Sequence, residues 1–190
     1  MNKEDIITLP DQRLRQRSSR IHVVTPEIQK LAKDLTSVAL DWEDSRPHEI
    51  SAAISAVQIG QLDRLVIIRS DFDDKSNREF TALINPEIVK FEGKIFEDYE
   101  GCLSVPDVYG RVPRYDKIRV RAMDIDGNQV RFKADGFLAR TIQHEIDHTN
   151  GIVFIDLIKD KKDAFFKLDE KGELQPLDYD KYIKNNSILW

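Results

Sequence analysis

Two histidines four residues apart, His144 and His148, constrain this chain more than any other feature. On a helix, residues four apart stack one turn above the other, so both imidazoles can reach a single ion. The stretch reads as a helix. Asp135-Gly136 offers a cap, Leu138, Ile142 and Ile146 recur at helical spacing, and Asn150-Gly151 supplies a left-handed stop. Glu145 follows the first histidine directly. In an H-E-x-x-H arrangement that carboxylate sits beside the ion without binding it, where it can take a proton from water and deliver it to a leaving group. With four histidines in 190 residues, chance would produce the pattern in well under ~1 chain in 100. The residues point to a metal-dependent hydrolase. His22 and His48 have no ligand-like spacing and read as surface or loop residues.

A third ligand must come from elsewhere. No histidine follows His148, and Asp156 and Asp160 are generic carboxylates. The single cysteine, Cys102, excludes an internal disulfide and fits a reducing compartment. Most isolated cysteines are small buried hydrophobes. This one follows Gly101 and precedes Ser104-Val105-Pro106, where a strand ends and a side chain can be aimed inward. A thiolate with two imidazoles suits Zn²⁺ or Fe²⁺ and leaves a fourth position open, as catalytic sites require.

Together, Glu100-Gly101-Cys102-Leu103-Ser104 and Gln143-His144-Glu145-Ile146-Asp147-His148 resemble the second and third motifs of the peptide deformylases. That family's first motif, G-φ-G-φ-A-A-x-Q, aligns with Ser51-Ala52-Ala53-Ile54-Ser55-Ala56-Val57-Gln58; Gln58 is kept and both glycines are replaced. Leu9-Pro10-Asp11 with Leu14-Arg15, Ile84-Asn85-Pro86 and Val112-Pro113-Arg114 are also similar, so the resemblance runs from about residue 5 to 158.

The resemblance implies that Cys102, His144 and His148 hold one divalent ion, typically Fe²⁺, with Zn²⁺, Ni²⁺ or Co²⁺ substituting. Glu145 would be the general acid and base. The amide of Gln58 and the backbone N–H of Leu103 would meet the developing oxyanion, donors worth about 3–4 kcal/mol each. The implied substrate is the formyl group on the N-terminal methionine of a new polypeptide, released as formate. Ala53 and Ile54 would bind substrate, and Phe137, Arg140 and Thr141, one or two turns before His144, would line the methionine pocket. Ser51 and Ala53 add side-chain atoms where glycines let a ligand approach, which predicts a tighter or differently shaped methionine pocket. Thr149 replaces the usual leucine after the second histidine, a change expected to be tolerated. Two rival readings are an H-E-x-x-H metallopeptidase with another third ligand, and a non-catalytic relative that binds metal or blocked N-termini.

The rest of the chain fits an α+β fold, with antiparallel or mixed strands packed around a central metal-binding helix and an N-terminal helix. With 190 residues, 41% of them hydrophobic, and no internal repeat, it can bury a proper core. Pro26 and the stripe Ile28, Leu31, Leu35, Val38 and Trp42 predict a helix over 26–43. Strands are expected at Leu65–Arg69, Ala82–Lys90, Ile95–Tyr99, Ile118–Ile125 and Gln129–Lys133, with Asp126-Gly127 turning a hairpin. Extended substrate could lie along a sheet edge.

Residues 1–158 read as the catalytic domain and 159–190 as its charged C-terminal extension. Phe165-Phe166 and Ile188-Leu189-Trp190 are expected to dock back on the domain, and a ribosome contact follows by family analogy alone. The net charge of −5 argues against a nucleic-acid binder, and Arg13, Arg15, Arg17 and Arg20 read as a solvated surface of the mature protein. No hydrophobic run suits a signal core or membrane span, so the cytoplasm is expected.

Overall fold

Helix α1 runs over Pro26–Asp44, the segment expected from its apolar stripe. Pro26 sits in the first turn, where a missing N–H costs nothing. Ala32, Leu35, Val38 and Ala39 are buried, and Ile28 and Leu31 pack at the margin. The buried face ends in a charge. Glu43 pairs with Arg69, both side chains almost fully enclosed. Glu43 also accepts the Ser51 N–H at 2.8 Å, and Arg69 donates to the Ser51 carbonyl at 3.1 Å. The pair thus fixes the backbone of the first motif where it enters the sheet. The computed structural model that shows this describes residues 1–46 and 48–190.

Seven strands form one antiparallel sheet among the described residues: β1 (Ala53–Ser55), β2 (Leu65–Arg69), β3 (Phe80–Cys102), β4 (Val105–Met123), β5 (Gln129–Asp135), β6 (Phe165–Leu168) and β7 (Leu174–Pro176). The order is β1-β2-β3-β4-β6-β7, and β5 pairs with the far half of β4. The stretches expected at 82–90 and 95–99 are one bent strand, β3, and that at 118–125 is the far part of β4. Pattern reading divides β3 because Asn85 (φ 51°), Pro86 and Gly93 (φ 76°) look like turn residues. In the structure they fall at or beside register shifts that bend a continuous strand. Asn85 holds the bend by exchanging two hydrogen bonds with the Ile21 backbone, at 2.9 and 2.7 Å.

Helix α2 (Gly136–Thr149) lies against this sheet, with Ala139, Ile142 and Ile146 packed on Ile118, Val120 and Ala122. Asp135 occupies the cap position in extended backbone but makes no side-chain cap bond, and Gly151 (φ 77°) ends the helix as expected. Most of α2 is buried, including Gln143, His144, Glu145 and His148. Thr149 is enclosed with its hydroxyl donated to the Ile146 carbonyl at 2.7 Å, so the departure from leucine leaves no unsatisfied group.

Residues 159–190 pack onto the same body. β6 pairs with β4 at Tyr109 and Gly110, and Phe165, Ile183 and Leu189 share a core cluster with Leu9, Leu14, Cys102 and Phe154. Ile188, expected to dock, is 56% exposed. No helix of the described residues is long and apolar enough to cross a membrane.

Candidate metal centre

Cys102 ends β3, and α2 carries His144 and His148 on the face turned toward it. The Cys102 Sγ lies 3.2 Å from His148 Nε2, and the two Nε2 atoms are 3.2 Å apart. All three ligand atoms fall within 4.8 Å of one another and all three residues are buried. Two nitrogens bound tetrahedrally at ~2.0–2.1 Å sit about 3.4 Å apart, so the spacing already matches one shared ion. The group lying with the histidines is therefore Cys102. Asp156 instead pairs with Arg15 and accepts the Val153 N–H, and Asp160 is exposed.

The tautomer of His144 is set by Glu100, whose Oε2 lies 2.9 Å from Nδ1. A carboxylate there makes Nδ1 the protonated nitrogen and leaves the Nε2 lone pair facing the other ligands. Glu100 also receives Arg114 through two hydrogen bonds, at 2.9 and 3.1 Å, and Arg140 at 2.7 Å. Burial pushes its carboxyl up, but the hydrogen bonds from His144 and Arg114 outweigh that and hold it at about 2. Arg114 continues to Asp147 on α2. Glu100 and Arg114 stand in stretches quoted above for their resemblance, yet sequence alone assigns them no part. A charge becomes informative as a buried hub only once its partners are placed around it.

Glu145 is buried beside the ligands, and burial raises its carboxyl above the ordinary range. Ser55 donates its hydroxyl to Glu145 Oε2 at 2.6 Å and stands where the first motif has an alanine. Gln58 is oriented by the same turn: its Oε1 accepts the Ser55 N–H at 2.8 Å. That leaves the Nε2 end aimed at Cys102 Sγ, 3.6 Å away, and at Ser104 Oγ, 3.3 Å away.

These groups open on a cavity of about 360 Å³, the size of a small-ligand site. Ala53, Leu103, Phe137, Arg140 and Thr141 line it with Gln58, Cys102, His144 and Glu145. Ile54 does not; its side chain is fully buried in the core beneath α1. Ser51 also turns away, enclosed beside Glu43 and Arg69, so of the two replaced glycines only the Ala53 position narrows the cavity. Arg140 is committed to Glu100 and to the carbonyls of Val112 and Phe96.

Comparison with known proteins agrees with this geometry. The polypeptide deformylase family matches residues 3–164. A peptide deformylase of Thermomicrobium roseum is 43% identical over 172 residues, 88% of this chain and 93% of its own length. The structure of a peptide deformylase from Synechococcus elongatus in complex with actinonin is 31% identical and superposes with a TM-score of 0.73, covering 82% of this chain and 79% of its own. A Met-Ala-Ser-bound class I type b peptide deformylase from Acinetobacter baumannii is 27% identical with a TM-score of 0.71, covering 80% and 96%. The H-E-x-x-H helix, the cysteine at the end of the long strand and the glutamine that faces them thus stand in a chain that belongs to the peptide deformylase family.

Proposed function

We propose that this chain hydrolyses the formamide at the N-terminus of formylmethionyl peptides, releasing formate and a free amine. The observation that carries the reading is the convergence on one cavity of an open Cys/His/His set, a buried carboxylate and an oriented carboxamide. Cys102, His144 and His148 would hold the ion, and we take Fe²⁺ as the resident metal, with Zn²⁺, Ni²⁺ and Co²⁺ acceptable to the same donors. Bound there, the ion supplies Lewis-acid polarisation of a carbonyl and a water acidic enough to react near neutral pH.

The chain's own groups do the rest. Glu145 takes a proton from the attacking water as its oxygen bonds to the formyl carbon, and passes that proton to the amine nitrogen as the C–N bond breaks. Ser55, bonded to Oε2, steers Glu145 so that its other oxygen carries the proton. Gln58 Nε2 and the Leu103 N–H donate to the oxyanion, and Gln58 stays neutral beside a cation. Ala53, Phe137 and Thr141 form the methionine pocket. Action on new polypeptides places the protein in the cytoplasm, where a free thiol ligand stays reduced.

Anaerobically prepared Fe²⁺ or Ni²⁺ protein is expected to release formate from formyl-Met-Ala-Ser. Metal at one per chain without formate would leave the non-catalytic reading. The Met-Ala-Ser held by the Acinetobacter relative is what this reaction leaves. In Ser55→Ala the lost hydrogen bond is expected to lower kcat about three- to tenfold with KM little changed, and Ser55→Thr to restore much of it. Equal kinetics in the alanine variant would remove Ser55 from the mechanism.

A further inference from the structure

The cavity does not stop at the metal centre or at α2. It continues to Leu168, Gly172 and Leu174 of the β6–β7 hairpin, and to Arg46, His48 and Ile50 in the stretch between α1 and β1. The family model matches residues 3–164, so the hairpin lies beyond the residues that model describes.

Leu168 and Leu174 are direct cross-strand partners, so their side chains leave the hairpin on the same face, as do those of Phe166 and Pro176. Phe166 packs edge-on against Tyr99 with ring centroids 4.9 Å apart, and Tyr99 lines the cavity. The opposite face carries Lys167 and Gln175, both exposed. One side of the hairpin is therefore an apolar wall joined to the strand that ends in Cys102.

The hairpin is also held in place. Asp169 Oδ1 accepts the N–H groups of Lys171 and Glu173, each at 2.9 Å, which fixes the turn. Gly172, at φ +80°, lies so close to His48 that an added Cβ would sit 3.1 Å from the His48 Cβ. The tip thus seats on the chain between α1 and β1. Across from it, Arg46 pairs with both Glu49 and Asp107, so that side chain presents no unpaired cation to the cavity.

We propose that the β6–β7 hairpin is a specificity-determining wall of the peptide channel that receives the side chain after methionine and favours an aliphatic one. The inference rests on the deformylase reading given above. In an extended peptide, successive side chains leave on opposite faces, so with methionine against α2 the next residue turns toward another wall. Leu168 and Leu174 supply that wall.

The test compares formyl-Met-Leu-Ser with formyl-Met-Ala-Ser on the metal-loaded full chain, reading kcat/KM for formate release and, by calorimetry, the affinities of the products Met-Leu-Ser and Met-Ala-Ser. The wild-type chain is expected to favour leucine about tenfold, and Leu168→Ala combined with Leu174→Ala to bring both ratios toward one. Leu168→Arg is expected to create a preference for formyl-Met-Glu-Ser over formyl-Met-Lys-Ser, a gain that misfolding cannot mimic. Ratios that stay the same in both variants would overturn the proposal. Absence of formate from every peptide would instead overturn the deformylase reading, and the product affinities would still decide the wall.

Discussion

Glu145→Gln is expected to lower kcat for formate release about 10²–10⁴-fold while the protein keeps one metal per chain. The substitution preserves shape and can still accept the Ser55 hydroxyl, but it cannot take a proton from water. Its neighbours His144 and His148 would hold the ion through their own rings, so metal content measured by atomic emission should equal that of the wild-type chain. The two measurements together separate proton transfer from metal binding. Loss of metal along with activity would mean that Glu145 organises the ligands, and near-normal turnover would assign proton transfer to another group.

Glu100→Ala is expected to damage stability and metal binding at once. Its carboxylate lies between Arg114 and Arg140, both buried, and supports His144 from behind. Removing one partner from a buried ion pair costs about 3–5 kcal/mol, because the remaining charge is left uncompensated. For a chain of this size that corresponds to a fall in Tm of about 6–20 °C. The freed imidazole also loses the acceptor that fixes its tautomer, which is expected to weaken metal affinity about 10–100-fold. Thermal unfolding with and without added Ni²⁺ reads both effects. Glu100→Gln, which keeps one acceptor oxygen, should fall between the two. A Tm within about 2 °C of wild type would show that Asp147 and the backbone carbonyls alone satisfy the arginines.

The candidate metal cluster was legible because residue type and period agree. Two histidines at helical spacing, with Glu145 between them and Ile142 and Ile146 on the buried side, mark the segment both as a helix and as a candidate metal site. α1 was legible for the same reason of period. The long strands were not. Asn85, Pro86, Gly93, Pro106 and Pro113 each read as punctuation, yet in a bent two-stranded ribbon they sit at bulges or register positions that tolerate a missing donor or a left-handed residue. The extent of β4 and the existence of β1, β6 and β7 depend on what pairs with them, and three- or four-residue strands carry little period of their own.

The supporting residues were hidden by a different cause. Glu100, Ser55 and the pair of Glu43 with Arg69 act through partners 14 to 90 positions away in sequence, and nothing local marks a charge as buried. Ile54 shows the converse. Its place in the first motif suggests contact with substrate, but in a strand its neighbour Ala53 faces the other way, and Ile54 falls to the core.

Leu9, Cys102 and Leu189 belong to one apolar cluster, so Cys102 is seated by residues far from it on both sides in sequence. Contacts of such long range cannot form while the chain is being made from its N-terminus, because one side of the cluster has not yet been synthesised. The packing around Cys102 is therefore completed only when residues 183–189 join the cluster, so the wall behind the candidate metal centre is among the last parts of the fold to close.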